Sequence, residues 1–343
     1  MKTKMKMKIL ICTGIYPPDV GGPAKYAKNL AEEFLGRGYK VKVLAYKIEK
    51  KLPIGIRHCL YFFRVFFAAF DADLIIALDT FSTGFPAILT AKLLRKKAIL
   101  RVGGDFLWET YIEKTGNLIK LKDFYERIPK LPFKQKILFF LQKFTIKNYS
   151  ALAFNSNWQK KIFEKFYNLD ISKNYVIENF YGEKVGDFNF KEKNFLWAGR
   201  NIKLKNLTLL KESFSVAQKE NIEIKLEISK EISQKELMEK VKESYVVVLP
   251  SISDISPNLI MDTITCNKPF ILTKECGLVD KFKEVGVFID PFNKDDIKNK
   301  ILFLADDNNY KEYKKRIASF NFTHSWKEIA DEFLSVYKKL CGF

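Results

Sequence analysis

The sequence predicts an α/β protein that contains two domains, each built around a parallel sheet. Short apolar runs alternate with segments of helical periodicity, which is typical of parallel strands joined by helices. The alternation stops in a polar, glycine-containing stretch at residues 179–193 and then begins again. The length of 343 residues suits two domains of about 100–200 residues each. We therefore expect Rossmann-like domains at 1–180 and 181–322, followed by a closing helix at 323–343.

The first domain is predicted from continuous apolar runs, as expected for strands that are buried on both faces. Its strands are predicted at Lys8–Thr13, Lys40–Tyr46, Asp73–Leu78, Ala98–Val102, Ala151–Asn155 and Tyr175–Glu178. Its helices are predicted at Ala24–Leu35, Leu60–Phe70, Gly84–Leu94, Phe133–Lys147 and Asn157–Phe166.

The second domain repeats the pattern. Its strands are predicted at Phe195–Ala198, Glu223–Ile228, Val246–Pro250, Pro269–Thr273 and Val285–Ile289. Its helices are predicted at Asn206–Lys219, Gln234–Val241, Asn258–Thr265, Lys294–Ala305 and Lys311–Ser319. The closing helix, Ser325–Leu340, carries apolar residues at spacings of three and four, which indicates one buried face.

The composition excludes a disordered chain and leaves the charge open to three interpretations. Apolar residues make up 47% of the chain, and 59 Lys+Arg against 40 Asp+Glu give a net charge of +19. Three interpretations of this positive charge are possible: a compositional bias toward lysine, binding to an anionic membrane surface, or binding to a nucleic acid. Only eight of the basic residues are arginine, and no nucleic-acid-binding motif is recognisable. We therefore expect no nucleic-acid partner.

Cysteine and hydropathy patterns predict a cytoplasmic protein. Five cysteines without CxxC spacing argue against a disulfide framework or a zinc site. The apolar stretch Cys59–Phe70 is shorter than the roughly 20 residues that a membrane-spanning helix needs. The basic start Met1–Lys8 precedes only a short apolar run, so a first strand is a better interpretation than a signal peptide.

Two loops of the first domain follow predicted strands, where parallel α/β sheets bind ligands. The loop at residues 14–23 contains Gly21 and Gly22, which allow a close backbone approach to an anion at the next helix. It is equally consistent with an ordinary Gly/Pro turn. The loop at residues 103–109 places Asp105 beside aromatic residues, which suits a sugar. Alternatively, Asp105 caps a helix.

Two segments of the second domain carry charges in comparable positions. Arg200 and Lys205 follow the first strand, and two cations on a loop that leads into a helix suit a diphosphate. In the segment at residues 250–262, Asp254 and Asp262 stand eight residues apart, in position to hold sugar or ribose hydroxyls. Alternatively, these acidic residues have a structural role, in which a carboxylate near the N-terminus of a helix stabilises the helix dipole.

Taken together and in this order, these segments resemble family 4 of the retaining, nucleotide-sugar-dependent glycosyltransferases, the group 1 type, which have the GT-B fold. The similar segments are ILICTGIYPPDVGGPAKYAKNLAEEFLGRGYKVKVLAY, FLWAGRNIKLKNLTLL, LPSISDISPNLIMDTITCNKPFILTKECGL and HSWKEIADEFLSVYKKL. The resemblance covers almost the whole chain. It implies two Rossmann-like domains facing a cleft, with the C-terminal helix returning to the first domain.

The resemblance also implies roles for individual residues. Catalytic roles are expected for Asp105, Arg200, Lys205 and Asp254. Among the donor-binding residues, Arg200 and Lys205 are expected to bind the diphosphate, Asp262 to hold the ribose and Asp254 to contact the sugar. The full set expected to bind the donor is Gly21, Gly22, Arg200, Lys205, Asp254, Ser256, Pro257, Asn258 and Asp262. The acceptor side is expected at Tyr16, Asp105, Trp108 and Glu109.

Three departures from the family pattern qualify these roles. Aspartate stands at both acidic positions where the family has glutamate, and Asp105 is the nearest candidate for a histidine that the family often has. The second domain is also expected to lack one strand–helix unit, because residues 228–244 lack the usual glycine-rich turn. These departures keep open a degenerate GT-B protein that binds nucleotide or glycan without catalysis. A GT-B epimerase or phosphorylase is another possibility, although no residue argues for either.

The expected reaction transfers a sugar from a nucleotide-diphosphate sugar, with retention of configuration, to a saccharide or lipid-linked acceptor of envelope or surface polysaccharide synthesis. We expect no metal and no other cofactor, because the two cations would stabilise the leaving phosphate. The stretch at residues 127–147 is basic and apolar, so it is expected either to contact an anionic membrane surface or to pack on its sheet.

Overall fold

The protein is described from a computed structural model, which covers residues 7–19 and 21–342. Residues 1–6, which belong to the basic start Met1–Lys8, Val20 of the first loop and Phe343 lie outside the described residues. The chain divides into two compact units. The first unit contains residues up to Leu107, Lys130–Glu178 and the C-terminal segment from Ser325. The second unit contains Trp108–Pro129 and Asn179–His324.

The first unit contains a parallel sheet of six strands, in the order β2-β1-β3-β4-β5-β6. The strands are β1 (Lys8–Thr13), β2 (Lys40–Ala45), β3 (Leu74–Ala77), β4 (Lys97–Val102), β5 (Ala151–Phe154) and β6 (Asn174–Val176). Strands β3 and β5 are buried along their whole length, which explains their continuous apolar sequences.

Helices cover the strands of this sheet. Those that lie wholly in the first unit are α1 (Gly22–Gly36), α2 (Ile54–Ala69), α3 (Gly84–Leu93), α6 (Phe133–Asn148), α7 (Asn157–Tyr167) and α14 (Trp326–Cys341). The last of these packs against α1, and Phe333 is fully buried in the same core as Ile9 and Ile76. The Trp326 ring meets the Tyr26 ring edge to face at 5.1 Å. The C-terminal helix therefore returns to the first unit, as predicted.

The second unit contains a parallel sheet of five strands, in the order β11-β10-β9-β7-β8. The strands are β7 (Lys193–Gly199), β8 (Ile224–Lys230), β9 (Val246–Leu249), β10 (Phe270–Thr273) and β11 (Val287–Ile289). The helices between and after them are α8 (Leu207–Glu220), α9 (Gln234–Glu243), α10 (Asn258–Thr265), α11 (Val279–Phe282), α12 (Lys294–Ala305) and α13 (Asp307–Ser319). These two parallel sheets confirm the predicted α/β class.

Residues 108–129 form the main difference from the predicted organisation. Two helices occur where the sequence analysis predicted no helix: α4 (Phe106–Thr115), which begins inside the loop predicted at residues 103–109, and α5 (Leu121–Glu126). The predicted boundaries placed residues 108–129 in the first domain, whereas in the structure they pack with the second unit. Both helices are short and lack a long apolar repeat, so their periodicity is weak in the sequence.

Two other helices begin earlier than predicted, for local reasons. Helix α13 begins at Asp307 because the Asp306 side chain accepts the backbone N–H groups of Asn308 and Asn309. Helix α2 begins at Ile54, directly after Pro53.

In the described part of the chain, no helix is long and apolar enough to cross a membrane.

Candidate functional site

The candidate site lies in the second unit, at the edge where β7, β9, β10 and β11 end. The chain leaves β7 at Gly199 and makes a 3-10 turn at Lys203–Lys205 before it enters α8. The loop after β9 lies beside this turn, since the Ile252 N–H donates to the Leu204 carbonyl at 3.0 Å, and the loop after β10 contacts the β9 loop, since the Asp254 N–H donates to the Glu275 carbonyl at 2.9 Å. Several loops that follow strands thus meet at one sheet edge, as is usual for ligand sites in parallel sheets.

Asn206 joins three of these loops. Its backbone is left-handed, with φ 54°, a conformation that asparagine tolerates better than most residues. Its side-chain Nδ2 donates to the carbonyl oxygens of Pro250 at 3.2 Å and Pro291 at 2.7 Å. Because the residue is buried, these bonds hold the loops after β7, β9 and β11 in one arrangement.

Lys205 and Asp254 form the central ion pair of the site. Lys205 Nζ lies 2.8 Å from Asp254 Oδ2, and the two side chains are 19% and 13% exposed. The Asp254 backbone is held by the loop after β10, because its N–H donates to the Glu275 carbonyl and its own carbonyl accepts from the Gly277 N–H. This arrangement fixes the position of a cation that remains partly accessible to solvent.

Arg200 has a carboxylate partner in the helix that the sequence did not predict. Arg200 Nη2 lies 3.5 Å from Glu109 Oε2 on α4, and the arginine side chain is 64% exposed. Arg200 and Lys205, the two cations singled out in the sequence, therefore each lie beside a carboxylate. Because Arg200 is exposed, this pair contributes little to stability and leaves the guanidinium available to a ligand.

The segment at residues 108–129 is attached to the same sheet edge by several further contacts. Glu113 accepts the Leu204 N–H on its side chain at 3.2 Å, and its carbonyl accepts from Lys203 Nζ at 3.1 Å. The Leu121 N–H donates to Ser253 Oγ at 3.0 Å. Lys120 Nζ lies 2.9 Å from Glu275 Oε1. The segment is therefore part of the candidate site of the second unit.

Burial and several neighbouring charges act in opposite directions on the pKa of the Glu109 carboxyl. Burial raises its pKa, although the positive charges of Arg200 and Lys205 partly offset the effect and the negative charge of Asp254 adds to it. An anionic ligand that binds the two cations would also meet this carboxylate. Glu109 is thus placed to oppose anion binding when it is ionised.

We expect Glu109→Gln to bind a nucleoside diphosphate about two- to tenfold more tightly at low salt, since one like charge near the ligand is removed. The advantage should shrink as the pH falls toward the raised pKa of Glu109, because the wild-type carboxyl then becomes neutral as well. Titration calorimetry of both proteins with UDP at two pH values measures the effect. Equal affinity at neutral pH would show that Glu109 does not face the ligand.

The start of α10 is held by an asparagine at the beginning of the second unit. Asn179 Nδ2 donates to Ser256 Oγ at 3.1 Å and to Asn258 Oδ1 at 2.9 Å. The Asn179 carbonyl lies 2.9 Å from Nδ1 of His324, which is buried. The predicted turn at Ser256, Pro257 and Asn258 is thereby oriented, and Pro257 directly precedes the first residue of the helix.

Asp262 also lies on α10, and the structure places it near the end of β8. Asp262 Oδ2 accepts a hydrogen bond of 2.9 Å from Gln234 Nε2, at the start of α9. Because α9 directly follows β8 in the chain, the Asp262 carboxylate lies beside the loop that joins these two elements.

The residues predicted in the first unit occupy different environments. Gly21 precedes α1 with φ 146°, a conformation that favours glycine, and Gly22 is the exposed first residue of that helix. The Tyr16 N–H donates to Asp19 Oδ2 at 3.3 Å within the same loop. Asp105 is fully buried directly before α4.

The structure corrects the predicted role of Trp108. Its side chain is only 2% exposed, and its Nε1 donates to the Ile119 carbonyl at 2.8 Å. The ring is therefore part of the interior formed by residues 108–129 and presents no open face on which a sugar could stack. Its neighbour Glu109, predicted on the acceptor side, is instead the partner of Arg200.

Four residues of interest were missed in the sequence: Asn206, Asn179, Glu113 and Arg101. Arg101 is the next-to-last residue of β4 in the first unit, where its guanidinium carbon lies 3.8 Å from the centre of the Tyr26 ring and the residue is 6% exposed. Its rarity, as one of eight arginines, is the same signal that singled out Arg200. The other three gave no signal, because single polar residues are common in loops and helices.

Comparison with known families identifies part of the second unit. Residues 208–320 match the family model described as glycosyl transferases, group 1. This match includes Asp254, the turn at residues 256–258 and Asp262, and it confirms the resemblance to group 1 glycosyltransferases over the region that it covers. No curated protein matches the sequence.

Solved structures with the same architecture are numerous. Sucrose-phosphate synthase from Thermosynechococcus elongatus aligns with a TM-score of 0.72 at 12% identity, over 98% of this chain and 100% of that chain. HepE from Anabaena, in complex with UDP and glucose, aligns with a TM-score of 0.61 at 13% identity, over 98% of both chains. A putative UDP-N-acetylglucosamine 2-epimerase from Listeria monocytogenes aligns with a TM-score of 0.61 at 13% identity, over 98% of this chain and 97% of that chain. Identities this low show the fold, which is GT-B.

Proposed function

We propose that this protein is a retaining glycosyltransferase that uses a nucleotide-diphosphate sugar as donor. The observation that carries the proposal is the pair of partly accessible cations, Arg200 and Lys205, at the carboxyl edge of the second sheet. Two cations beside the start of a helix suit a diphosphate. The group 1 glycosyl transferase match in the same unit and the UDP and glucose bound by the similar HepE support this choice of ligand.

The donor is proposed to bind through residues of the second unit. Arg200 and Lys205 contact the diphosphate, and the backbone N–H groups at the start of α10, near Ser256 and Asn258, add donors for the phosphate or sugar. Asp254 holds Lys205 Nζ through the 2.8 Å contact and is available to a sugar hydroxyl. Asp262, together with Gln234 beside it, is proposed to hold the ribose.

The proposed reaction requires no protein nucleophile. The bond between the sugar anomeric carbon and the diphosphate oxygen breaks, and the acceptor hydroxyl oxygen bonds to the same carbon from the same face. The hydroxyl proton passes to the leaving phosphate. Stabilisation of that phosphate by Arg200, Lys205 and the helix amides supplies most of the catalysis. These cations also make a metal ion unnecessary in the proposed mechanism.

The acceptor is proposed to be a saccharide or lipid-linked saccharide of envelope or surface polysaccharide synthesis. We assign its recognition to the first unit, where the proposed contacts are Tyr16 and the backbone of Gly21 and Gly22, the two glycines expected to line both the donor diphosphate and the acceptor side. Asp105 is not among these contacts, because it is fully buried. A cytoplasmic protein that meets a lipid-linked acceptor would work at the inner face of the cell membrane. Residues 127–147, which carry α6, are the proposed contact with that surface.

A thermal-shift screen of UDP-, GDP-, ADP- and dTDP-sugars tests the proposed function. A ligand that binds the folded state at about 100 times its Kd adds about 2.7 kcal/mol of stability, so one of these donors is expected to raise the melting temperature. Transfer or hydrolysis of that donor then distinguishes a transferase from a protein that only binds. If none of the four changes the melting temperature, the proposed donor class is wrong.

A further inference from the structure

Helix α2 exposes a continuous apolar stripe on its outer face. The stripe consists of Ile56, Leu60, Phe63 and Phe67, and Phe70 extends it directly after the helix. The successive spacings of four, three, four and three residues place these side chains on one face of a helix. Phe63 and Phe67 are 50% and 70% exposed. The stretch that was too short to span a membrane thus faces outward along one side.

Helix α6 exposes a second apolar stripe in the same layer of the first unit. Phe133, Ile137 and Phe140 are spaced by four and three residues, and Phe140 is 68% exposed. Helix α3 packs against both α2 and α6, so the three helices form one layer. Together with Leu93, which ends α3, the layer holds nine of the 17 large apolar side chains that are exposed in the described part of the chain. Such concentration indicates an interaction surface.

The charges of these helices all have one sign. The sequences of α2, α3 and α6 contain no aspartate or glutamate. Their basic residues are Arg57, Arg64, Lys92, Lys134, Lys136, Lys143 and Lys147. The four lysines of α6 are exposed, and Phe140 stands four residues after Lys136 and three before Lys143. Aromatic and basic side chains therefore share one face of α6.

We propose that the layer formed by α2, α3 and α6 is a docking surface for an anionic lipid bilayer. The apolar stripe of α2 enters the interface between headgroups and acyl chains, and the lysines of α6 contact the lipid phosphates. The proposal rests on the peripheral membrane placement proposed above and adds α2 as the main apolar contact. A bilayer fits better than a second copy, since two copies would bring layers of like charge together.

The test compares Phe63→Ser/Phe67→Ser with wild type in sedimentation with vesicles made of equal parts of phosphatidylserine and phosphatidylcholine. Both residues are exposed, so the fold should tolerate the changes. Each phenylalanine that enters the interface contributes about tenfold to binding, and we expect about a hundredfold weaker binding for the double variant. The matched control is Leu35→Ser/Ile222→Ser, two exposed apolar residues outside this layer, which should bind like wild type.

A second variant tests the charges. Lys136→Glu/Lys143→Glu should weaken binding to the same vesicles, with the loss greatest at low salt, because the attraction is screened by ions. Vesicles of phosphatidylcholine alone should bind wild type weakly. If the wild-type protein bound both vesicle types equally, the surface would not be specific for anionic lipids, and that part of the proposal would be wrong.

Two results would overturn the docking surface. One is equal vesicle binding by wild type and Phe63→Ser/Phe67→Ser. The other is no vesicle binding by wild type together with a self-association that the same double variant abolishes in sedimentation velocity, which would assign α2 to a second copy. Neither result affects the donor site, because the thermal shift with nucleotide sugars is measured separately and should be the same in this variant as in wild type.

Discussion

Lys205→Ala is expected to lower the rate of sugar transfer by about 10²–10³-fold while the protein stays folded. The Nζ atom of Lys205 is held 2.8 Å from Asp254 in loops that are themselves tied together, so its charge is fixed before the donor binds. A preorganised cation stabilises the leaving diphosphate without reorganising during the reaction. The measurement is the initial rate of transfer from the donor identified by thermal shift, with the melting temperature as a check on folding.

Lys211→Ala provides the control for this prediction. Lys211 lies on α8, one turn beyond the site, and is exposed, so the same loss of charge at a nearby position should leave the rate unchanged. Arg200→Ala is expected to act in the same direction as Lys205→Ala. Normal transfer by both site variants would show that the two cations do not bind the donor.

Asn206→Ala is expected to destabilise the second unit by about 2–4 kcal/mol. The variant leaves two loop carbonyls, those of Pro250 and Pro291, without their amide partner, and it places alanine at φ 54°. For a unit of this size, the loss lowers the melting temperature by about 5–10 °C. The fluorescence of Trp197, which is buried in the second unit, is a local probe of this unfolding.

Asn168→Ala separates the two causes of this loss. Asn168 has a nearly identical left-handed backbone, with φ 49°, but it is exposed at the end of α7. It should therefore show only the smaller cost of placing alanine in that conformation, about 1 kcal/mol. If the two variants lose the same stability, the loop contacts of Asn206 contribute nothing.

The organisation of the chain was largely predictable because it depends on local patterns. Buried parallel strands need continuous apolar residues, and helices between them need a period near 3.6, so each strand could be placed to within a few residues. Strand β1 and helices α10 and α12 have the predicted limits. The rarity of arginine drew attention to Arg200, which the structure places at the carboxyl edge of the second sheet.

The partners of these residues were not predictable. Glu109 lies 91 residues before Arg200, and no local pattern shows that α4 joins the second unit. Trp108 was expected to meet a sugar because aromatic residues near a carboxylate suit such a site, yet the Ile119 carbonyl and the surrounding core hold it inside. Asn206 is an unremarkable residue in the sequence, although it joins three loops.

The sequence by itself therefore determined the two parallel sheets, their order along the chain, the returning C-terminal helix and the loops that follow the strands. Only the tertiary structure decided which side chains meet at the second sheet edge and that one face of α2 is left open to solvent. The physical reason is that periodicity and backbone propensity act over a few residues. The pairing of charges and the exposure of a helix face depend on contacts between residues that are far apart in the chain.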